Sequence, residues 1–151
     1  MTLSGTNAGF VPGLADFEGR WTIDRAIEDR MAGITGQFQG EAVLVPEGDH
    51  LRYRETGLLR LGDGPGFSAE RSYVWRREGP RIAIDFSDGR AFHDFDPAAP
   101  AGHHLCVADD YSVRYSFVRW PDWRSEWSVK GPRKDYTMIS RYCPVSAASN
   151  G

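Results

Sequence analysis

Residues 51–61 read LRYRETGLLRL, and the alternation within them decides the fold. Successive side chains of a β-strand point to opposite faces. Leu51, Tyr53, Glu55, Gly57, Leu59 and Leu61 therefore share one face, while Arg52, Arg54 and Arg60 share the other. A helix would scatter the same hydrophobes around its circumference. The stretch predicts a half-buried strand whose apolar face carries one carboxylate, Glu55, inward.

The same period runs outward in both directions. RWTIDRAIEDR (20–30) sets Trp21, Ile23, Arg25 and Ile27 against Thr22, Asp24, Ala26 and Glu28, and QFQGEAVLVP (37–46) groups Phe38, Gly40, Ala42 and Leu44. GFSAERSYVWRR (66–77) groups Phe67, Ala69, Arg71, Tyr73 and Trp75. RIAIDF (81–86), RAFHDFD (90–96), HHLCVA (103–108), YSVRYSFVRW (111–120), WRSEWSVK (123–130) and DYTMISRYC (135–143) continue the series, separated by Asp-Gly, Pro-Asp and Gly-Pro turn signals. No long helical pattern interrupts them, so an antiparallel meander is the natural connection. Closure into a barrel removes the edges that such a meander would expose. The expected fold is all-β: a single antiparallel up-and-down barrel of about 8–10 strands, with a short helical turn near Gly13–Phe17. Residues 17–143 are expected to form the barrel domain, after an N-terminal segment (1–16) and before a disordered tail (144–151).

Composition sets further limits. A chain of 151 residues can bury a core without staples or metals. Its net charge of -3 creates no global field that would draw it to nucleic acid. Cys106 and Cys143 lack any Cys-x-x-Cys spacing and read as free thiols in a reducing compartment. The start of the chain does not read as a signal peptide, and no apolar run approaches the roughly 18 residues of a membrane span. The expectation is a soluble cytoplasmic protein without a membrane partner.

Gly19-Arg20-Trp21, taken with Arg141 near the C-terminus, resembles the calycin pattern of lipocalins and fatty-acid-binding proteins. The resemblance implies a calycin-like barrel in which Trp21 packs at the closed end beneath Arg141, a guanidinium stacked on an indole. The blocks GRWTIDRAIEDR, LRYRETG, AERSYVWR, DGRAFHDFD and GPRKDYTMISRY are similar to a family of short bacterial proteins of unknown function. That likeness spans most of residues 17–142 and implies a fold, with no activity, cofactor or catalytic residue attached.

Candidate chemistry comes from polar groups on the apolar faces. Arg25, Glu55 and Arg71 are ions on inward faces, and a buried ion without a partner is costly. They can form a Glu–Arg network that fixes strand register, or a polar floor that leaves one arginine for an anionic ligand group. Tyr53, Tyr73, Tyr111 and Tyr115 accompany them. Strict alternation groups His93 with Ala91 and Phe95 rather than Phe92, and leaves open whether it serves as a cavity base or is satisfied at the rim. His103 and His104 are adjacent and would face opposite ways in a strand, and no compact ligand motif appears, so neither metal nor cofactor is expected. Gly62-Asp63-Gly64-Pro65-Gly66 reads as a hairpin turn. Arg133 and Lys134 form either a basic lip that attracts acidic ligands or a solvated turn. Trp120, Trp123 and Trp127 read as rim and core packing.

Three readings remain open, and the first leads. It is a barrel that binds a small, partly apolar, anionic molecule through Arg25, Tyr53, Glu55, Arg71, Tyr73, His93 and Tyr115. The second is an enzyme of lyase, isomerase or hydrolase type that uses interior Glu or His with Arg or Tyr stabilisation. The third is a packed barrel acting as a protein-interaction module, and a homodimer is compatible with it.

Overall fold

A computed structural model of the chain describes residues 9–99, 101–106 and 109–145, with residues 101–106 described by their backbone alone. The alternation resolves into ten strands: β1 (Gly19–Asp29), β2 (Ile34–Glu47), β3 (His50–Leu61), β4 (Phe67–Glu78), β5 (Arg81–Phe86), β6 (Ala91–Phe95), β7 (Ala101–Cys106), β8 (Asp109–Ser116), β9 (Trp123–Gly131) and β10 (Lys134–Pro144). A one-turn 3-10 helix, Leu14–Phe17, precedes them where the helical turn was expected. The hydrogen-bonded order is β6-β5-β4-β3-β2-β1-β10-β9-β8-β7, so β1 lies between β2 and β10 in a strongly curled, calycin-like sheet. The edge strands β6 and β7 approach each other, and among the described residues no ladder joins them.

Tight turns make the meander continuous. Glu47 pairs with His50 across a two-residue turn, and Gly48 enters that turn at φ +66°, a conformation open to glycine at little cost. In the middle of the β2/β3 pair, Gly40 faces Gly57. A Cβ on Gly40 would lie 2.0 Å from the Thr56 carbonyl oxygen, and one on Gly57 would lie 2.8 Å from Phe38 Cζ. The missing side chains let the two backbones and the Phe38 ring close up as the sheet coils.

One end of the barrel is filled by aromatic rings. Phe17 is fully buried, with ring centroids 5.2 Å from Trp75, 5.7 Å from Phe117, 5.1 Å from Trp120 and 5.3 Å from Trp123. Trp21 donates its indole N–H to the Phe17 carbonyl at 2.9 Å and packs on Trp120 and Trp123. This corrects the expected Trp21–Arg141 stack. Tyr142 takes the buried face of β10, so the alternating Arg141 is exposed on the outer face, opposite Asp24 of β1. The stretch 111–120 likewise leaves strand structure after Ser116, because Phe117 and Trp120 turn inward onto Phe17.

Residues 1–8 and 146–151, which hold most of the expected N-terminal segment and tail, lie outside the described residues, as do the side chains of His103, His104 and Cys106. Among the described residues no helix is long and apolar enough to cross a membrane.

Candidate functional site

The curled inner face encloses a cavity of about 240 Å³. Arg25, Tyr53, Glu55, Arg71, Tyr73, His93 and Tyr115 all line it. Strand alternation brings them together: Arg25 is the inward residue of β1, Tyr53 and Glu55 of β3, and Arg71 and Tyr73 of β4.

Glu55 finds its partner two strands away. Arg25 donates from Nη1 to Glu55 Oε2 at 2.7 Å and from Nη2 to Oε1 at 3.0 Å, a bidentate fork between two buried groups. The remaining contacts complete the guanidinium's coordination. Nε donates to Ser140 Oγ at 2.6 Å, Nη2 also reaches the Tyr142 hydroxyl at 3.3 Å, and the group lies 5.0 Å from the centre of the Phe38 ring. Tyr53 donates its hydroxyl to Glu55 Oε1 at 2.5 Å and shares a 3.1 Å hydrogen bond with Tyr142.

This network sets the protonation states. Burial works to raise the Glu55 carboxyl, but the hydrogen bonds and charge of Arg25, the Tyr53 hydrogen bond and the nearby Arg71 charge outweigh it, and the group is held below its usual value. Burial likewise works against the charged form of Arg25, while Tyr142, Glu55 and Tyr53 reverse that and raise it. Glu55 is thus an ionised strut and a poor general acid.

Arg71 is placed differently. It faces Glu55 directly across the β3/β4 register, yet its side chain is exposed at the open end of the cavity. Among the described residues it makes no hydrogen bond or ion pair. Lys134, by contrast, is engaged by Asp109 at 3.2 Å and by the Tyr111 hydroxyl at 2.9 Å, contacts that raise its pKa. The Arg133–Lys134 lip therefore offers Arg133 alone as an uncommitted exposed cation.

His93 shares the inward face of β6 with the buried Phe95, as alternation expects, and a bulge brings Phe92 in beside it. The β5/β6 register shifts between Ile84 and Asp85, pairing Ile84 with His93 and Asp85 with Ala91. Phe92 is the extra residue of this bulge, so Phe92 and His93 both line the cavity although they are neighbours in sequence. His93 Nε2 shares a 2.9 Å hydrogen bond with the Tyr115 hydroxyl. Burial, followed by the charges of Tyr142 and Tyr73, raises the Tyr115 pKa well above its usual value, which keeps that phenol neutral.

Sequence reasoning missed several lining residues. Tyr136, Met138, Ser140 and Tyr142 occupy every second position of β10, a pattern that alternation alone could have found. Phe92 and Trp127 stack at 5.2 Å with 4° between their planes and form a flat apolar wall. Trp127 packs against the core as expected and lines the cavity as well, and Phe92 becomes visible only through the bulge.

The fold has known counterparts. The chain is similar to the S-type phycobiliprotein lyase CPES from Guillardia theta at a TM-score of 0.61, with 8% identity over 89% of this chain and 91% of that one. It is also similar to a protein of unknown function from the DUF3598 family of Nostoc punctiforme at a TM-score of 0.57, with 7% identity over 89% of this chain and 50% of that one. Likeness at these identities speaks to the fold. No curated protein matches the sequence. The blocks that run from the first strand to the last are those of one family, and the chain belongs to it: the family of unknown function DUF6314, matched over residues 17–144.

Proposed function

We propose that the barrel binds a small, partly apolar, anionic molecule in its cavity, with Arg71 holding the anionic group. The observation that carries this reading is the division of labour between the arginines. Arg25 is spent on Glu55, Ser140 and Tyr142, whereas Arg71 lines the same cavity with no described partner.

The size and walls of the cavity narrow the ligand. A dry cavity of roughly 150 Å³ already admits benzene, so about 240 Å³ suits a body of one or two rings. Tyr73, Phe92 and Trp127 offer parallel ring faces to such a body. The reading includes a cytoplasmic setting, in line with the free thiol of Cys143.

Native mass spectrometry of protein purified from its own host's lysate tests the proposal. The wild type is expected to carry a small acid that is lost in Arg71→Gln, a substitution at an exposed position that leaves the fold intact. A ligand retained equally by both proteins, or a clean apo mass in both, would overturn it.

A further inference from the structure

The displaced Arg141 belongs to a second hollow on the outside of the barrel. Ser116, Arg124 and Arg141 form one row across β8, β9 and β10, with Arg124 directly opposite Arg141 and next to Ser116. Arg119 reaches the same place from the turn after β8, and the three arginines line an outer concavity of about 380 Å³. Like charges directly opposite each other across a sheet are destabilising. An anion that joined them would remove that cost.

The local carboxylates neutralise the row only in part. Glu126 comes within 3.5 Å of Arg124, and Asp24 stands beside Arg141 in the β1/β10 register without bonding to it. Asp122 is the one carboxylate that lines the hollow. Among the described residues Arg119 and Arg141 make no side-chain hydrogen bond or ion pair. Among the residues that line the hollow, three arginines face one carboxylate, so its lining is net positive on a chain of net charge -3.

We propose that this outer hollow is a binding site for the phosphate group of a small phosphorylated molecule, held by Arg119, Arg124 and Arg141. A planar carboxylate satisfies one guanidinium fork, whereas a tetrahedral phosphate dianion presents three acceptor oxygens to donors arriving from three directions. Here Arg124 and Arg141 stand side by side on adjacent strands, and Arg119 comes to the same hollow from the turn after β8. Trp123 and Tyr142, stacked at 3.8 Å, line both this hollow and the inner cavity and form the wall between them. The outer site is therefore separate from the one that contains Arg71.

Calorimetric titration with inorganic phosphate and with glycerol 3-phosphate, at ionic strength matched with sodium chloride, tests the assignment. Saturable binding of the ester is expected in wild type. Arg141→Gln and Arg124→Gln should each weaken it about tenfold, the equivalent of one charge-assisted hydrogen bond, while Arg71→Gln leaves it unchanged. Melting temperatures of the apo variants at or above wild type confirm that the loss is not unfolding, since each substitution relieves the Arg124–Arg141 repulsion. The proposal is overturned if the ester shows no saturable binding, if inorganic phosphate binds while the ester is excluded, if neither outer substitution weakens binding, or if Arg71→Gln abolishes it.

Discussion

Glu55 is the residue on which the interior turns. Arg25 is 7% exposed and Glu55 3%, so neutralising the carboxylate strands a guanidinium away from water. Breaking a buried pair in this way costs about 3–5 kcal/mol. Glu55→Gln preserves shape and an acceptor for Tyr53 yet should lower the unfolding free energy by that amount at pH 7, read from urea denaturation. The pH dependence follows from the direction of the shift. A carboxyl held below its unfolded value contributes stability that is fully present above the unfolded pKa of roughly 4.3 and is lost as pH falls through the lower folded value. Wild type should therefore lose more stability on acidification than Glu55→Gln does, and parallel losses would show that the pair does not carry this charge. The inward placement of Glu55 was legible from alternation, but its choice of partner was not. Arg71 is its neighbour in register, and it is the missing side chain of Gly40 and the small Ala42, standing between β1 and β3, that open the path to Arg25.

At the scale of strands, the alternation of apolar and polar residues located each element, because a sheet with one buried face repeats every second residue. Its failures lie where tertiary packing overrides the period. The strand expected to reach Trp120 stops at Ser116, where Phe117 turns toward Phe17. The bulge at Ile84/Asp85 delivers Phe92 to the cavity beside His93, and no local signal marks it. The Gly40–Gly57 pair gives the clearest test of how the elements fit. A methyl group on Gly57 would sit 2.3 Å from the Gln39 carbonyl oxygen and 2.7 Å from the Gly40 Cα. These are backbone atoms that cannot rotate away, so β2 and β3 would have to separate. Gly57→Ala is expected to cost about 3 kcal/mol, the upper end of overpacking penalties, and to disturb the Phe38 ring that covers Arg25. An unchanged denaturation midpoint would mean that the two strands are free to move apart.

For the molecule as a whole, what matters is that the barrel is filled at one end and hollow toward the other. The curling of the sheet was legible from the edge problem of a long meander, whereas β6 and β7 approach each other with no ladder between them among the described residues. The cavity was not legible, since its volume is a small difference between the space inside ten strands and the side chains that fill it. Phe17 marks the boundary. It comes from a 3-10 turn that precedes the first strand, is fully buried, and contacts Trp75, Phe117, Trp120 and Trp123 at once. Deleting a buried phenylalanine costs about 3–5 kcal/mol through lost transfer energy and the residual hole. Here the hole would open between residues that also line the inner cavity, Trp75 and Trp123. Phe17→Ala should thus lower stability by that amount in chemical denaturation and, in the still-folded protein at low urea, perturb the near-ultraviolet signal of the tryptophans. Arg71→Gln, at the other end, should leave both readings at wild-type values. If Phe17→Ala instead unfolds with a wild-type midpoint, the helical turn is an appendage, and the filled end must be held by the strand-borne tryptophans alone.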